Sequence, residues 1–178
     1  ELFNGVISLG TETAGSDGVF SITSSQLADN SYTLTVKATD AAGNESAASN
    51  ELAITIDTTA PSTPVITTDT ELTKDNTPLI QGTAEAGSTV ELFNGVISLG
   101  TETAGSDGVF SITSSQLADN SYTLTVKATD AAGNTSSAST AFALTIDTTA
   151  PIAPVITTTT KATNNTTPTI EGTAELGS

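Results

Sequence analysis

The side chains able to do chemistry in this sequence are almost all carboxylates. Twenty Asp and Glu stand against four Lys, with no Arg, His or Cys, for a formal charge of −16. Without His or Cys, a nucleophilic Ser or Thr lacks its usual base, and zinc and copper lack their preferred donors. What remains is the chemistry of hard oxygen ligands. Carboxylates, Asn side chains and backbone carbonyls are the donors that calcium takes, in flexible geometry. Charge of this sign repels nucleic acid and anionic membrane surfaces, whose phosphates are bound through Lys and Arg. No apolar run approaches the ~20 residues of a membrane-spanning helix, and no signal peptide is visible. The missing initiator Met leads to the expectation of an internal fragment of something longer.

These carboxylates recur at fixed spacing. Residues 1–44 return unchanged as 91–134, a period of 90. The period continues with substitutions, Ile56-Asp57-Thr58-Thr59-Ala60-Pro61 returning at 146–151 and Gly82-Thr83-Ala84-Glu85 at 172–175. Such a length is too great for helical solenoid units and suits a β-sandwich domain. Strict alternation places Tyr122, Leu124, Val126 and Ala128 on one face of a strand, and Phe110 with Ile112 and Leu144 with Ile146 on others. Seven strands are expected in one period, near 63–68, 77–82, 88–93, 96–102, 109–114, 121–129 and 137–146. Asn94-Gly95 is the expected centre of a two-residue hairpin turn, and Ser115–Asn120 has room for one helical turn. Leu79 becomes Thr169 whereas Ile80 is kept as Ile170, so the second position of that strand should face the core. The run from Leu117 to Tyr122 resembles the tyrosine corner of immunoglobulin-like sandwiches, with Asp119 and Asn120 as turn residues.

The fold class read from this pattern is all-β, with tandem seven-stranded immunoglobulin-like β-sandwich domains arranged end to end. A boundary at Asp-Thr-Thr-Ala-Pro makes residues 58–147 a complete repeat. It leaves 1–57 with the last five strands of one repeat and 148–178 with the first two of another. A sandwich stripped of two strands exposes core and unpaired edges. The expected partners are therefore neighbouring repeats, with head-to-tail completion by a second copy in a fibre as a further possibility.

In a seven-strand sandwich the second–third, fourth–fifth and sixth–seventh connections gather at the pole where the first strand enters. In the complete repeat they carry Glu85, Asp107, and Asp130 with Asn134, while the entering linker brings Asp57. Acidic groups converging on one pole repel each other unless a cation sits among them, so this set is the candidate calcium site. Asp17 and Asp40 are its equivalents in the first repeat, and Asp147 with Glu175 begins the next joint. Each has a plain alternative: Asp130 as a turn cap with Asn134 left-handed, Asp107 as a turn residue before Gly108, Glu85 as a solvated side chain. Asp69 and Asp75 belong to the opposite pole.

Gly-Thr-Ala-Glu-Ala-Gly-Ser-Thr-Val, Ala-Thr-Asp-Ala-Ala-Gly-Asn and Asp-Thr-Thr-Ala-Pro, in order and at one period, resemble the bacterial Ig-like domains of giant surface adhesins exported by type I secretion. The resemblance covers the chain. It implies an extracellular rod on the bacterial surface, in settings such as biofilm, with calcium at the joints and a stalk role between anchor and tip. The fourth–fifth connection departs from it, carrying Asp107 alone where relatives often have two acidic residues. Three other functions compete with this one. An enzyme is disfavoured, because no pocket-forming insertion interrupts the period. A glycan- or ice-binding module is suggested only by Thr67-Thr68 and the Thr run at 157–160, in a chain with few aromatics. A passive spacer without metal is the third. A Lys–Asn crosslink is set aside because alternation turns Lys127 outward.

Overall fold

Only the central repeat assembles two facing sheets in the computed structural model, which describes residues 1–159 and 162–177. Thr160, Lys161 and Ser178, the last two within the final segment and the first in its Thr run, lie outside the described residues. The central elements are β5 (Val65–Ile66), β6 (Leu72–Thr73), β7 (Leu79–Thr83), β8 (Thr89–Asn94), β9 (Ile97–Thr103), β10 (Val109–Thr113), β11 (Asn120–Thr129) and β12 (Phe142–Ile146). One sheet has the order β10-β7-β5 and the other β6-β12-β11-β8-β9. Ile80, Val90, Leu92, Phe110, Ile112, Leu124, Val126, Leu144 and Ile146 fill the space between them. The alternation read from the sequence therefore holds face by face. Ile80 is fully buried and Leu79 is 48% exposed, as the substitution pattern required. Lys127 points outward.

Eight strands stand where seven were expected. The first expected strand is reduced to β5, which pairs antiparallel with β7, and the connection expected to follow it as a loop contains the extra strand β6, which pairs parallel with β12. The last strand begins at Phe142 rather than near 137. Upstream of it the Ser139 and Ser136 hydroxyls accept the amides of Val126 and Ala128 at 3.1 and 3.0 Å. Side-chain oxygens thus stand where ladder carbonyls would, and the segment hugs β11 without being a strand.

The hairpin turn is shifted by one residue from its expected centre. Asn94 pairs with Ile97, so the loop residues are Gly95 and Val96, and Gly95 alone takes positive φ, at 62°. Gly at the first loop position suits a type II′ hairpin. The tyrosine corner is present, Tyr122 Oη donating to the Ala118 carbonyl at 2.9 Å. The expected helical turn at 115–120 does not form. Leu117 is buried there, its amide bonded to the Asn76 carbonyl, which holds the segment extended across the core. No helix of the described chain is long and apolar enough to cross a membrane.

The flanking segments show what the same sequence does without its partner strands. Residues 1–57 form one sheet, β2 (Ile7–Gly10), β1 (Leu2–Asn4), β3 (Asn30–Val36) and β4 (Leu52–Ile56), in that order. Val19–Thr23 is identical to the β10 sequence yet is not a strand. Its pairing partner in the complete repeat is β7, whose counterpart does not precede it here. Phe20 is 51% exposed where Phe110 is 1% exposed. In the last segment β13 (Val155–Ile156) pairs with β14 (Gly172–Thr173), repeating the β5–β7 register, and Ile170 lies open to solvent. Strand formation at these positions is decided by tertiary pairing.

Candidate metal centre

The residues proposed to hold a cation are placed by three turns. After β11 the chain turns through Asp130-Ala-Ala-Gly133-Asn134. The carboxylate of Asp130 organises the turn, Oδ1 accepting the amides of Ala132 and Asn134 at 2.8 and 2.9 Å and Oδ2 accepting Asn134 Nδ2 at 2.9 Å. The Asn134 side chain, with backbone amides behind it, holds the Asp130 carboxyl below its ordinary range against some desolvation. Gly133, at φ 94°, takes the left-handed position expected for Asn134, since Gly does so without steric cost. Between β7 and β8 the turn is fixed by Ser88, whose amide and hydroxyl both donate to the Glu85 carbonyl, leaving the Glu85 side chain in solvent. The third turn is the linker after β4, where Asp57 Oδ1 accepts the Thr59 amide at 3.0 Å.

These turns meet. Asp57, Glu85 and Asp130 line one cleft of about 300 Å³, with Ser88 at its wall. Asn134 Nδ2 donates to the Asp57 carbonyl at 3.0 Å, a bond between the linker and the last connection of the following repeat. Among the described residues no lysine forms an ion pair with Asp57, Glu85 or Asp130. The donor set is oxygen throughout, as calcium requires, but no three carboxylates among the described residues stand close enough to hold an ion.

The remaining candidates are not brought into this cleft. Asp107 caps its own turn through the Val109 amide at 3.0 Å, and Asp17 does the same with Val19. Asp40 repeats the Asp130 geometry with Ala42 and Asn44, Asn44 likewise lowering its pKa. At the second joint Asp147 accepts the Thr149 amide, and Glu175 Oε2 accepts the Ile152 amide at 3.0 Å. At the far pole Asp75 caps the Thr77 amide.

Sequence reading treated Asp119 as a turn residue, and the structure gives it and its equivalent Asp29 more than that. Asp119 accepts the Thr148 amide and hydroxyl through Oδ1, at 3.0 and 2.7 Å, and the Thr149 hydroxyl through Oδ2 at 2.9 Å. Asp29 receives the same three donors from Thr58 and Thr59, at 3.1, 2.9 and 3.1 Å. Both carboxyls are held below their ordinary range, Asp119 chiefly by the Thr148 hydroxyl and Asp29 chiefly by the Thr58 amide. The signal available in the sequence was the recurrence of an Asp one residue ahead of strand Asn-Ser-Tyr together with Thr-Thr one residue beyond Asp57 and Asp147.

A two-sheet sandwich entered by a short acidic linker and carried at a 90-residue period defines a tandem all-β module. The family model "Bacterial Ig-like domain" matches residues 2–58 and 63–148, and the chain belongs to that family. It is 39% identical over 149 residues to chitinase A1 of Niallia circulans, a match covering 79% of this chain and 20% of that protein. It is 34% identical over 173 residues to exoglucanase B of Cellulomonas fimi, covering 86% of this chain and 15% of that protein. The chain thus spans a fifth or less of the length of these relatives. Among solved structures it is similar to a biofilm-associated protein BSP domain, at 25% identity and TM-score 0.41, covering 84% of this chain and 25% of that one. It is also similar to the fibronectin(III)-like modules of Clostridium thermocellum CbhA, at 15% identity and TM-score 0.49, covering 82% and 75%.

Proposed function

We propose that this chain is a non-catalytic spacer, an extracellular run of bacterial Ig-like repeats that separates functional parts of a larger surface or secreted protein, with calcium at its joints. The observation that carries the reading is the meeting of Asp57, Glu85 and Asp130 around one cleft whose wall is shared by two successive repeats. In this reading Asp57, Glu85, Asp130 and the Asn134 side-chain oxygen hold the ion, and Asp147 with Glu175 begins the same arrangement at the next joint. The ion would supply charge neutralisation where carboxylates otherwise repel, and a tie between linker and loop. Extracellular modules bind calcium at about 10⁻⁴–10⁻³ M, so the array would stiffen outside a cell and relax where calcium is scarce.

The enzyme relatives favour a spacer between a catalytic part and another module, whereas the adhesin resemblance favours a stalk; both need the same mechanical property. A passive spacer is the second reading, favoured by the turn-capping bonds that already engage Asp57 and Asp130. Small-angle scattering of the chain in calcium and in EGTA separates the two. Calcium stiffening predicts a longer maximum dimension and a narrower spread of shapes with calcium, and identical curves leave the passive spacer. The partners in either case are neighbouring repeats. Val19–Thr23 carries the β10 sequence without a strand partner, and Ile170–Thr173 carries the β7 pattern paired to β13 on one edge but to no β10 equivalent on the other, so a second copy can join them in the β7–β10 register. Sedimentation across a concentration series tests this, with association expected and a strict monomer against it.

A further inference from the structure

The joint also contains a contact that owes nothing to metal. The register of the last two strands creates it: Asn120 pairs with Ile146, so the residue before one strand and the residues after the other must come together. Asp119 and Thr148-Thr149 are those residues, and the Asn30–Ile56 pair brings Asp29 to Thr58-Thr59 in the same way. Three donors enter one carboxylate at each place, and two of the three are hydroxyls that only Thr or Ser could supply. Charge-assisted bonds of this kind are shorter and stronger than neutral ones. Beyond the threonines, Pro61 is buried against the following sandwich and its ring fixes φ. Of the five linker residues, Thr58 and Thr59 are therefore held by the repeat they leave, and Asp57, through the Asn134 bond, and the buried Pro61 by the repeat they enter.

We infer that Asp29 and Asp119 are linker anchors: each docks the Thr-Thr pair leaving its own repeat and so sets the direction of the next one, with or without calcium. The anchor lies at the corner closed by Tyr122 (Tyr32 in the first repeat), whose hydroxyl holds the Ala118 (Ala28) carbonyl one residue before the Asp. The tyrosine corner thus positions the carboxylate as well as closing the loop. Asp147, engaged with the Thr149 amide, and Asp57, engaged with that of Thr59, are the neighbouring charges. They face the linker from its own start and leave the threonine hydroxyls to the anchors.

The test is residue-resolved amide exchange on the whole chain in EGTA, so that its outcome is independent of calcium binding. The Thr148 and Thr58 amides, outside any strand, should be protected, and Asp119→Ala should speed exchange at Thr148 by about tenfold or more while leaving Thr58 unchanged. Asp29→Ala should do the reverse. To separate the linker bonds from the packing of the corner, Thr148→Val with Thr149→Val removes the hydroxyls at nearly constant volume. It should raise the Asp119 pKa toward the ordinary value while the β11 amides keep their protection. Residual dipolar couplings complete the test, because the wild type should show one alignment frame across residues 30–147 and Asp29→Ala should show two. Unprotected Thr148 and Thr58 amides in the wild type, or variants that leave exchange, pKa and alignment unchanged, would overturn the inference.

Discussion

Replacing Phe20 and Phe110 by Ala, one at a time, should have very different consequences although both lie in the same 44-residue sequence. Phe110 is 1% exposed and its ring lies against Gly82 of the neighbouring strand, closely enough that a Cβ there would collide with it. Phe20 is 51% exposed on a segment without a strand partner. Truncating a fully buried Phe costs about 3–5 kcal/mol in lost transfer and cavity energy, whereas surface changes usually stay within about 0.5 kcal/mol. For a domain of this size each kcal/mol moves the midpoint by roughly 4–8 °C, so Phe110→Ala should lower it by well over 10 °C. The chain has two tyrosines and no Trp. In a Tyr32→Phe background, Tyr122 fluorescence during urea unfolding therefore reports the complete sandwich alone. The expected result is a large fall in the urea midpoint for Phe110→Ala at unchanged slope, and little change for Phe20→Ala. Equal effects of the two, or a loss under about 1 kcal/mol at Phe110, would refute the assignment of a single complete core.

Further outcomes follow from the same geometry. Gly82→Ala should destabilise the central repeat by about 1–3 kcal/mol by overpacking, because the added methyl meets the Val65 carbonyl and the Phe110 ring; thermal unfolding checks it, and a neutral result would contradict the packing. Tyr122→Phe should cost about 0.5–1.5 kcal/mol through the bond to Ala118, read as a small loss of melting temperature without loss of fold. Hydrogen bonds hold the carboxyls of Asp29, Asp40, Asp119 and Asp130 below the ordinary carboxylate range, about 3.8 for Asp. Their contribution is fully present above pH 3.8 and is lost as pH falls through the lowered values, opposite in sign to the relief of self-repulsion in a chain of charge −16. Carboxyl NMR titration separates the two, and any of these four titrating above 3.8 would reject its hydrogen-bonding pattern.

Much of the fold was legible because alternation is a local property. Tyr122 to Ala128 and Phe110 with Ile112 declare their inner face without any neighbour. The extra strand β6 in the expected loop was not legible, because it exists only where Leu72 and Thr73 reach the edge beside β12. The missing strand at Val19–Thr23 was not legible either, since the sequence is that of β10 and only the absence of a β7 equivalent differs. Among the candidate residues, the loops of Asp57, Glu85 and Asp130 were legible, and the structure brings these three to one cleft. Asp29 and Asp119 escaped because their role depends on strand register rather than on spacing along the chain.

Calcium binding itself is the most direct measurement of the functional account. Isothermal titration of the chelator-treated chain should give a dissociation constant near 10⁻⁴–10⁻³ M. At ten times that concentration the stability should rise by about 1.4 kcal/mol. Both effects should be strongly weakened by Asp130→Asn or Glu85→Gln and absent with potassium. No heat of binding, and the same melting temperature in calcium and in EGTA, would contradict a calcium-stiffened joint and leave the repeats joined by their linker bonds alone.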